Sequence, residues 1–338
     1  MVTVAILGGG FMGGAHASNY AALGERVRVK TVYSRSAGKA ERVAAIVGAE
    51  ASTDLEATIA DPEVEAVDIC LPTPLHRTTA ELAFARGKHV FVEKPLALTL
   101  EDGEAIVRAA AGGSTLMVGL VLRFWPEYVE LHRRVRAGEL GRLFALAASR
   151  LSPPADWAGW YADVSQSGGP LVDLMVHDFD QANWLLGEPR SVFARAAASA
   201  DPAYPDHVAA LVEYDGAEAV VEGSMALPKS FPFSSLIRVN GEGGAAEYAF
   251  RATPAEDGGN IGAVDESARG LRIHPRDGQP ELVLLDPVDP WGPEIEEWVS
   301  CLEQGRQPEN GTGGQALLAL RVSLAARRSL ATGRPEAP

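Results

Sequence analysis

Short apolar runs alternate with segments of helical period through the first third of the chain. Val2 to Leu7 reads as a buried strand, Arg28 to Tyr33 as a second, Val64 to Leu71 as a third, His89 to Val92 as a fourth and Thr115 to Gly119 as a fifth. Strands spaced by helices in this way predict a parallel sheet flanked by helices. Thr53 followed by Glu56, and Thr99 followed by Asp102, have the spacing of capping boxes at helix starts.

After about Leu122 the pattern changes, because β-rich segments are joined by hairpin turns instead of helices. Val208 to Tyr214 and Glu218 to Ser224 flank Asp215-Gly216, a strong two-residue hairpin signal. Ser235 to Asn240 and Ala245 to Phe250 flank a glycine-rich turn, and Leu271 to His274 and Glu281 to Leu285 flank Arg276-Asp277-Gly278. These segments predict one open, mainly antiparallel sheet. At the end, Leu317, Leu320 and Leu324 fall on one face of a helix stopped by Gly333 and Pro335. The chain is therefore divided into domains at 1–122 and 123–338, with the last helix expected to pack back on the first.

A length of 338 residues suits two cores, and 46% hydrophobic with 22% charged residues is a packed globular composition. No apolar run is long enough to span a bilayer, and a strand begins at Val2, so a cytoplasmic protein is expected. Cys70 and Cys301 stand far apart, which argues against a disulfide framework. A net charge of −15 repels nucleic acid and anionic lipid, leaving a small molecule as the expected partner.

Gly8, Gly10 and Gly13 form G-x-G-x-x-G between the first strand and a helix, the context that a dinucleotide-binding turn requires. The first glycine permits the tight turn, the second lets the backbone approach a pyrophosphate and the third lets helix and strand pack closely. Phe11 and Met12, inside the same turn, are grouped with the cofactor. The fold class is thus α/β, a Rossmann dinucleotide-binding domain followed by an α/β domain with the open sheet. Where an NAD-preferring fold usually offers an acid to the ribose, this chain has Tyr33-Ser34-Arg35-Ser36. Ser34 and Arg35 suit a 2′-phosphate, so NADP is favoured and NAD stays possible; the bland alternative is a pair of solvated turn residues.

The fourth strand runs into Glu93-Lys94-Pro95-Leu96-Ala97, and here the chain resembles the glucose-fructose oxidoreductase and inositol dehydrogenase family. Ile69 to His76 resembles that family's loop after the third strand, with Thr73 where asparagine is frequent, and Ala85 to Val90 resembles its lead into the Glu-Lys-Pro motif. Gly168 to Asp180 resembles its second-domain catalytic helix, Arg123-Phe124 its pair at the domain junction, and Thr332 to Pro335 its closing residues. Val121 departs from the pattern, standing near where relatives carry polar residues.

The resemblance implies hydride transfer between NAD(P) and a hydroxyl of a sugar, cyclitol or other polyol. It implies His177 as acid/base, Lys94 as the group that binds the reacting oxygen, and Asp173 as the positioning partner. It adds Leu71, Pro72, Thr73, His76, Glu93 and Lys94 around the cofactor, and Lys94, Arg123, Asp173 and His177 around the substrate. The family's Lys-Pro bond is often cis. Oxidising a secondary alcohol needs a base at the hydroxyl, for which histidine is the natural choice, and an Asp-His pair four apart shares one helix face. By itself such a pair is more often a surface pair or part of a metal site; no metal is expected, because hydride transfer to a nicotinamide needs none.

Trp160 and Tyr161, in Asp156-Trp157-Ala158-Gly159-Trp160-Tyr161, suit either stacking on sugar rings or anchoring a loop. His76 and His16 are open between the cofactor and packing. A redox-assisted glycosidase or epimerase, and a dinucleotide-binding sensor without chemistry, are the rival readings. An open sheet with a partly apolar outer face predicts a homodimer or homotetramer.

Overall fold

The computed structural model describes residues 1–154, 159–198, 205–252 and 269–338. The chain divides into two compact units, Met1–Trp125 with Val288–Leu317, and Pro126–Pro287 with Leu318–Pro338.

The first unit runs β1 (Val2–Leu7), α1 (Phe11–Ala22), β2 (Val27–Tyr33), α2 (Ala37–Val47), β3 (Glu50–Ser52), α3 (Leu55–Ala60), β4 (Ala66–Ile69), α4 (His76–Ala85), β5 (His89–Glu93), α5 (Leu100–Ala109) and β6 (Leu116–Gly119). Its six strands lie in the order β3-β2-β1-β4-β5-β6, all parallel. The alternation along β1 decides the layering. Ala5 and Leu7 enter a core with Val67, Val92, Ala80 and Ile106, while Val4 and Ile6 enter a second core with Ala17, Tyr20, Val43 and Trp298. Helices therefore cover both faces, and each fully buried Ile, Leu or Val stabilises the sandwich by about 1.5–3 kcal/mol.

The second unit contains α6 (Pro126–Arg136), β7 (Leu143–Leu151), α7 (Val164–Ser167), α8 (Val176–Leu186), β8 (Ser191–Ala198), β9 (Pro205–Tyr214), β10 (Ala217–Ser224), β11 (Ser234–Gly241), β12 (Gly244–Arg251), β13 (Leu271–Pro275) and β14 (Glu281–Val283). Its eight strands lie in the order β14-β13-β12-β11-β7-β10-β9-β8, antiparallel except for the β7–β10 pair. Two further helices close the chain, α9 (Gly292–Gln304), which packs Ile295, Trp298 and Val299 into the core of the first unit, and α10 (Gly313–Thr332). No helix among the described residues is long and apolar enough to cross a membrane.

Three strands were not predicted. β3 is a three-residue polar edge strand, and β7 and β8 are alanine-rich, so their composition pointed away from sheet. One cap differs as well: Asp54, not Thr53, accepts from the Ala57 N–H at the start of α3, whereas Thr99 caps α5 as expected by accepting from the Asp102 N–H.

Candidate active site

The chain leaves β1 through a turn whose glycines answer to different constraints. Gly8 has φ +143°, and a Cβ there would lie 2.3 Å from the Cys70 carbonyl oxygen; a Cβ on Gly13 would fall 1.8 Å from the Gly8 carbonyl oxygen. Both are demanded by the protein's own packing. Gly10 is not, for it is exposed and a Cβ on it would meet nothing within 4 Å. It begins α1 without a side-chain cap and with no acid in the first turn, a helix start that suits an anion. This cradle fits a dinucleotide pyrophosphate. Gly13→Ala should destabilise the fold by about 2–4 kcal/mol in thermal unfolding. Gly10→Ala should leave unfolding unchanged and weaken binding of reduced nicotinamide cofactor, read by its fluorescence; equal behaviour of the two variants would contradict the division of roles. Phe11 is exposed and edge-on to Trp291 at 5.8 Å, and Met12 is half-buried.

At the end of β2, Ser34 is buried, its N–H donating to the Ser52 oxygen at 3.0 Å and its Oγ accepting from the Ser36 N–H at 3.4 Å. Arg35 is exposed. Two cationic residues not singled out from sequence lie on α2 beside the turn: Arg42 donates to the Gly9 oxygen at 3.2 Å, and the Lys39 backbone would lie 2.9 Å from a Cβ on Gly9. Their spacing of three along a helix was the available signal.

Because the sheet is parallel, β1, β4 and β5 end on one edge, where open α/β sheets bind ligands. Leu7 pairs with Ile69 and Ile69 with Val92, so the glycine turn, the Leu71-Pro72-Thr73 loop and Lys94 all leave that edge. Lys94-Pro95 is a cis bond. His76 is buried, with Nε2 2.8 Å from the Leu71 oxygen and Nδ1 3.1 Å from the Pro95 oxygen. Burial holds its pKa below the ordinary value. Its ring nitrogens face backbone carbonyls of both loops. Glu93 likewise turns inward: Oε2 accepts from the Lys94 N–H at 3.1 Å and Oε1 lies 3.1 Å from His16 Nε2. Arg123, in a short turn after β6, is buried.

His16 belongs to a closed cluster under the turn. Its Nδ1 meets Asp68 Oδ2 at 2.8 Å, Tyr20 donates to the same oxygen at 3.1 Å, and Cys70 Sγ lies 3.4 Å from both His16 Nδ1 and Asp68 Oδ1. The donor atoms of His16, Asp68 and Cys70 lie within 4.8 Å of one another. They contact one another in the closed space under the turn, where burial pushes the Cys70 thiol up.

In the second unit, Asp173 and His177 do not share one uninterrupted α-helix, as the spacing predicted. Asp173 lies in a π-helical turn, Pro170–Leu174, closed by the Met175 N–H on the Pro170 oxygen at 2.8 Å, and His177 sits in the first turn of α8. Gly169 enters that turn at φ +65° and ψ −169°, a conformation essentially confined to glycine. Asp173 is buried and His177 half-buried. The next residue, Asp178, is held by Arg150 of β7 through two hydrogen bonds of 2.9 Å, which pins the start of α8 to the sheet. Trp160 and Tyr161 stack at 4.0 Å and are both half-buried. Asp156, Trp157 and Ala158 lie outside the described residues.

Comparison with known proteins gives the family of the chain. Residues 2–120 match the oxidoreductase family with an NAD-binding Rossmann fold, and residues 128–247 match the GFO/IDH/MocA C-terminal domain. The chain is 30% identical to a scyllo-inositol 2-dehydrogenase (NAD(+)) of Bacillus subtilis, covering 99% of this chain and 95% of that protein. It is 30% identical to a D-xylose 1-dehydrogenase (NADP(+)) of Haloferax volcanii, covering 82% of each. The structure of GenD2 from gentamicin A biosynthesis in complex with NAD superposes with a TM-score of 0.83 at 27% identity, covering 100% of this chain and 96% of that one.

Proposed function

Because the chain belongs to the GFO/IDH/MocA family of NAD(P)-dependent oxidoreductases, we propose that it moves a hydride between a nicotinamide cofactor and a hydroxyl of a sugar, cyclitol or related polyol. The observation that carries the reading is the shared sheet edge, where the glycine turn and Lys94 emerge two strands apart. The bound cofactor supplies the hydride acceptor. The protein's own groups handle the proton: Lys94 binds the reacting oxygen and steadies charge developing on it, His177 takes the hydroxyl proton, and Asp173 orients His177 or a neighbouring hydroxyl. In the reverse direction His177 returns the proton to the same oxygen. A screen of cyclitols, aldoses and uronic acids against both oxidised cofactors, following absorbance of the reduced nicotinamide, tests this. A chain that binds cofactor and reduces it with none of these classes would contradict it.

For the cofactor, the cations Arg35, Lys39 and Arg42 and the absence of an acid in Tyr33 to Ser36 favour NADP. The two relatives named above use one cofactor each and so leave the choice to this chain's residues. Arg35→Ala should weaken NADPH binding by about 10-fold or more, the size of a charge-assisted hydrogen bond, and leave NADH nearly unchanged. Tighter binding of NADH than NADPH by the parent would overturn the preference.

The outward face of the second sheet supports self-association. Phe193, Leu211 and Val220 stand opposite one another on β8, β9 and β10, and Leu211 and Val220 are 42% and 48% exposed. An apolar row of this kind suits a second copy of the chain. Light scattering at micromolar concentration should give a homo-oligomer, and a monomer would remove the idea.

A further inference from the structure

The buried cluster joins three elements of the first unit: His16 on α1, Asp68 on β4 and Glu93 at the last position of β5, immediately before Lys94. We propose that His16 is a positioning residue for Lys94, acting through Glu93. The inference rests on the reading that Lys94 binds the reacting oxygen. It assigns to His16 a task that neither the glycine turn nor the Lys94 motif contains.

The geometry is a short chain of contacts. Asp68 Oδ2 faces His16 Nδ1 at 2.8 Å, and Glu93 Oε1 faces Nε2 at 3.1 Å. A neutral imidazole would set a lone pair against one of these carboxylates, so the ring carries a proton on each nitrogen. The Glu93 contact lies off the axis of the ring N–H and acts as charge attraction, whereas the Asp68 contact is an aligned hydrogen bond. The other Glu93 oxygen accepts from the Lys94 N–H at 3.1 Å. Gly119 of β6 completes the enclosure, since a Cβ there would lie 3.0 Å from Glu93 Oε1 and press on it. The carboxylate is thus fixed by His16 and by the lack of a side chain at 119, and it fixes the backbone of Lys94.

Charge explains why the fixing group is a histidine. Facing His16 are Tyr20 on α1, Asp68 and Cys70 at the end of β4, Glu93 on β5 and Glu294 on α9. Burial pushes the Tyr20 phenol, the Cys70 thiol and the Glu294 carboxyl upward, so these three stay neutral. His16 rises despite burial, because the Asp68 carboxylate beside it and their hydrogen bond favour its charged form. Two carboxylates and one imidazolium remain. Without the imidazolium, Asp68 and Glu93 would face each other as like charges in a closed space, and Glu93 would turn away from the Lys94 amide.

NMR of protein labelled with 13C at the lysine Cε tests the proposal without a substrate. The chain has only Lys30, Lys39, Lys88, Lys94 and Lys229, and Lys94→Arg identifies the signal of interest. His16→Gln and Glu93→Gln should each displace the Lys94 signal by more than its line width and leave the other lysines in place. The double variant should match Glu93→Gln alone, because His16 acts through that residue. An unmoved Lys94 signal in folded His16→Gln, or a double displacement equal to the sum of the singles, overturns the proposal. If His16→Gln does not fold, the ring 15N signals of the parent and of Glu93→Gln decide. In the parent both His16 nitrogens should still hold protons where a free imidazole has lost one, and Glu93→Gln should lower the pH at which one is lost; identical titrations overturn it. Turnover of Lys94→Ala is a separate measurement: retained activity there would remove the role of Lys94 and leave the coupling standing.

Discussion

His177→Asn should lower kcat by about 10²–10⁴, the usual contribution of a positioned base, with cofactor affinity unchanged. The hydroxyl oxygen becomes a carbonyl oxygen only if its proton leaves as the hydride departs, and asparagine cannot accept a proton at any working pH. Hydroxide can replace the base in part, so the variant should recover rate as pH rises, where the parent levels off. Lys94→Met should cost about 10²–10³, because it removes the cation proposed to steady charge on the reacting oxygen. On the roles proposed for Lys94 and His177, the two losses should not add when combined. Steady-state kinetics with the best substrate of the polyol screen checks all three variants. Turnover within threefold of the parent in either single variant would reopen the sensor reading, in which the fold binds dinucleotide without chemistry.

How far the sequence could be read follows from how local each constraint is. Gly8 and Gly13 were legible because their restriction comes from atoms of the same turn and from the strand beside it. The parallel strands were legible because burial on both faces leaves continuous apolar runs such as Val2 to Leu7. β7 was missed because its buried face carries Arg150 with Leu146 and Ala148 while the other face carries Ala147, Ser149 and Leu151, so apolar and polar residues do not sort by face. The placement of Asp173 was missed for another reason: a π-helical turn depends on Gly169 and Pro170 meeting the following helix, and residue spacing carries no mark of it. The His16 cluster depends on pairs such as His16 and Asp68, 52 positions apart, which only strand order brings together. The contact between the Glu93 side chain and His16 was hidden for the same reason.

Arg150→Met should destabilise the second unit by about 3–5 kcal/mol, the cost of leaving a buried charge without its partner. Arg150 and Asp178 are almost completely buried, joined by two hydrogen bonds of 2.9 Å, with the guanidinium 5.9 Å from the centre of the Phe233 ring. Burial already pushes the Asp178 carboxyl above its ordinary value, and Arg150 is the group that opposes this. Without Arg150 the native carboxyl rises further, so the folded variant prefers its protonated form. A carboxyl raised in the folded state destabilises as pH climbs past the unfolded value of about 3.9 and toward the raised folded one. The penalty should therefore be larger at neutral pH than in mild acid, measured by urea unfolding across that range. Arg150→Met combined with Asp178→Asn should recover much of the loss at neutral pH, because no buried charge is left. A penalty that did not change with pH would mean that Arg150 acts by packing alone. The start of α8 is tied to β7 through this pair, and His177 is the residue next to it, so the proposed base depends on an ion pair that takes no part in the chemistry.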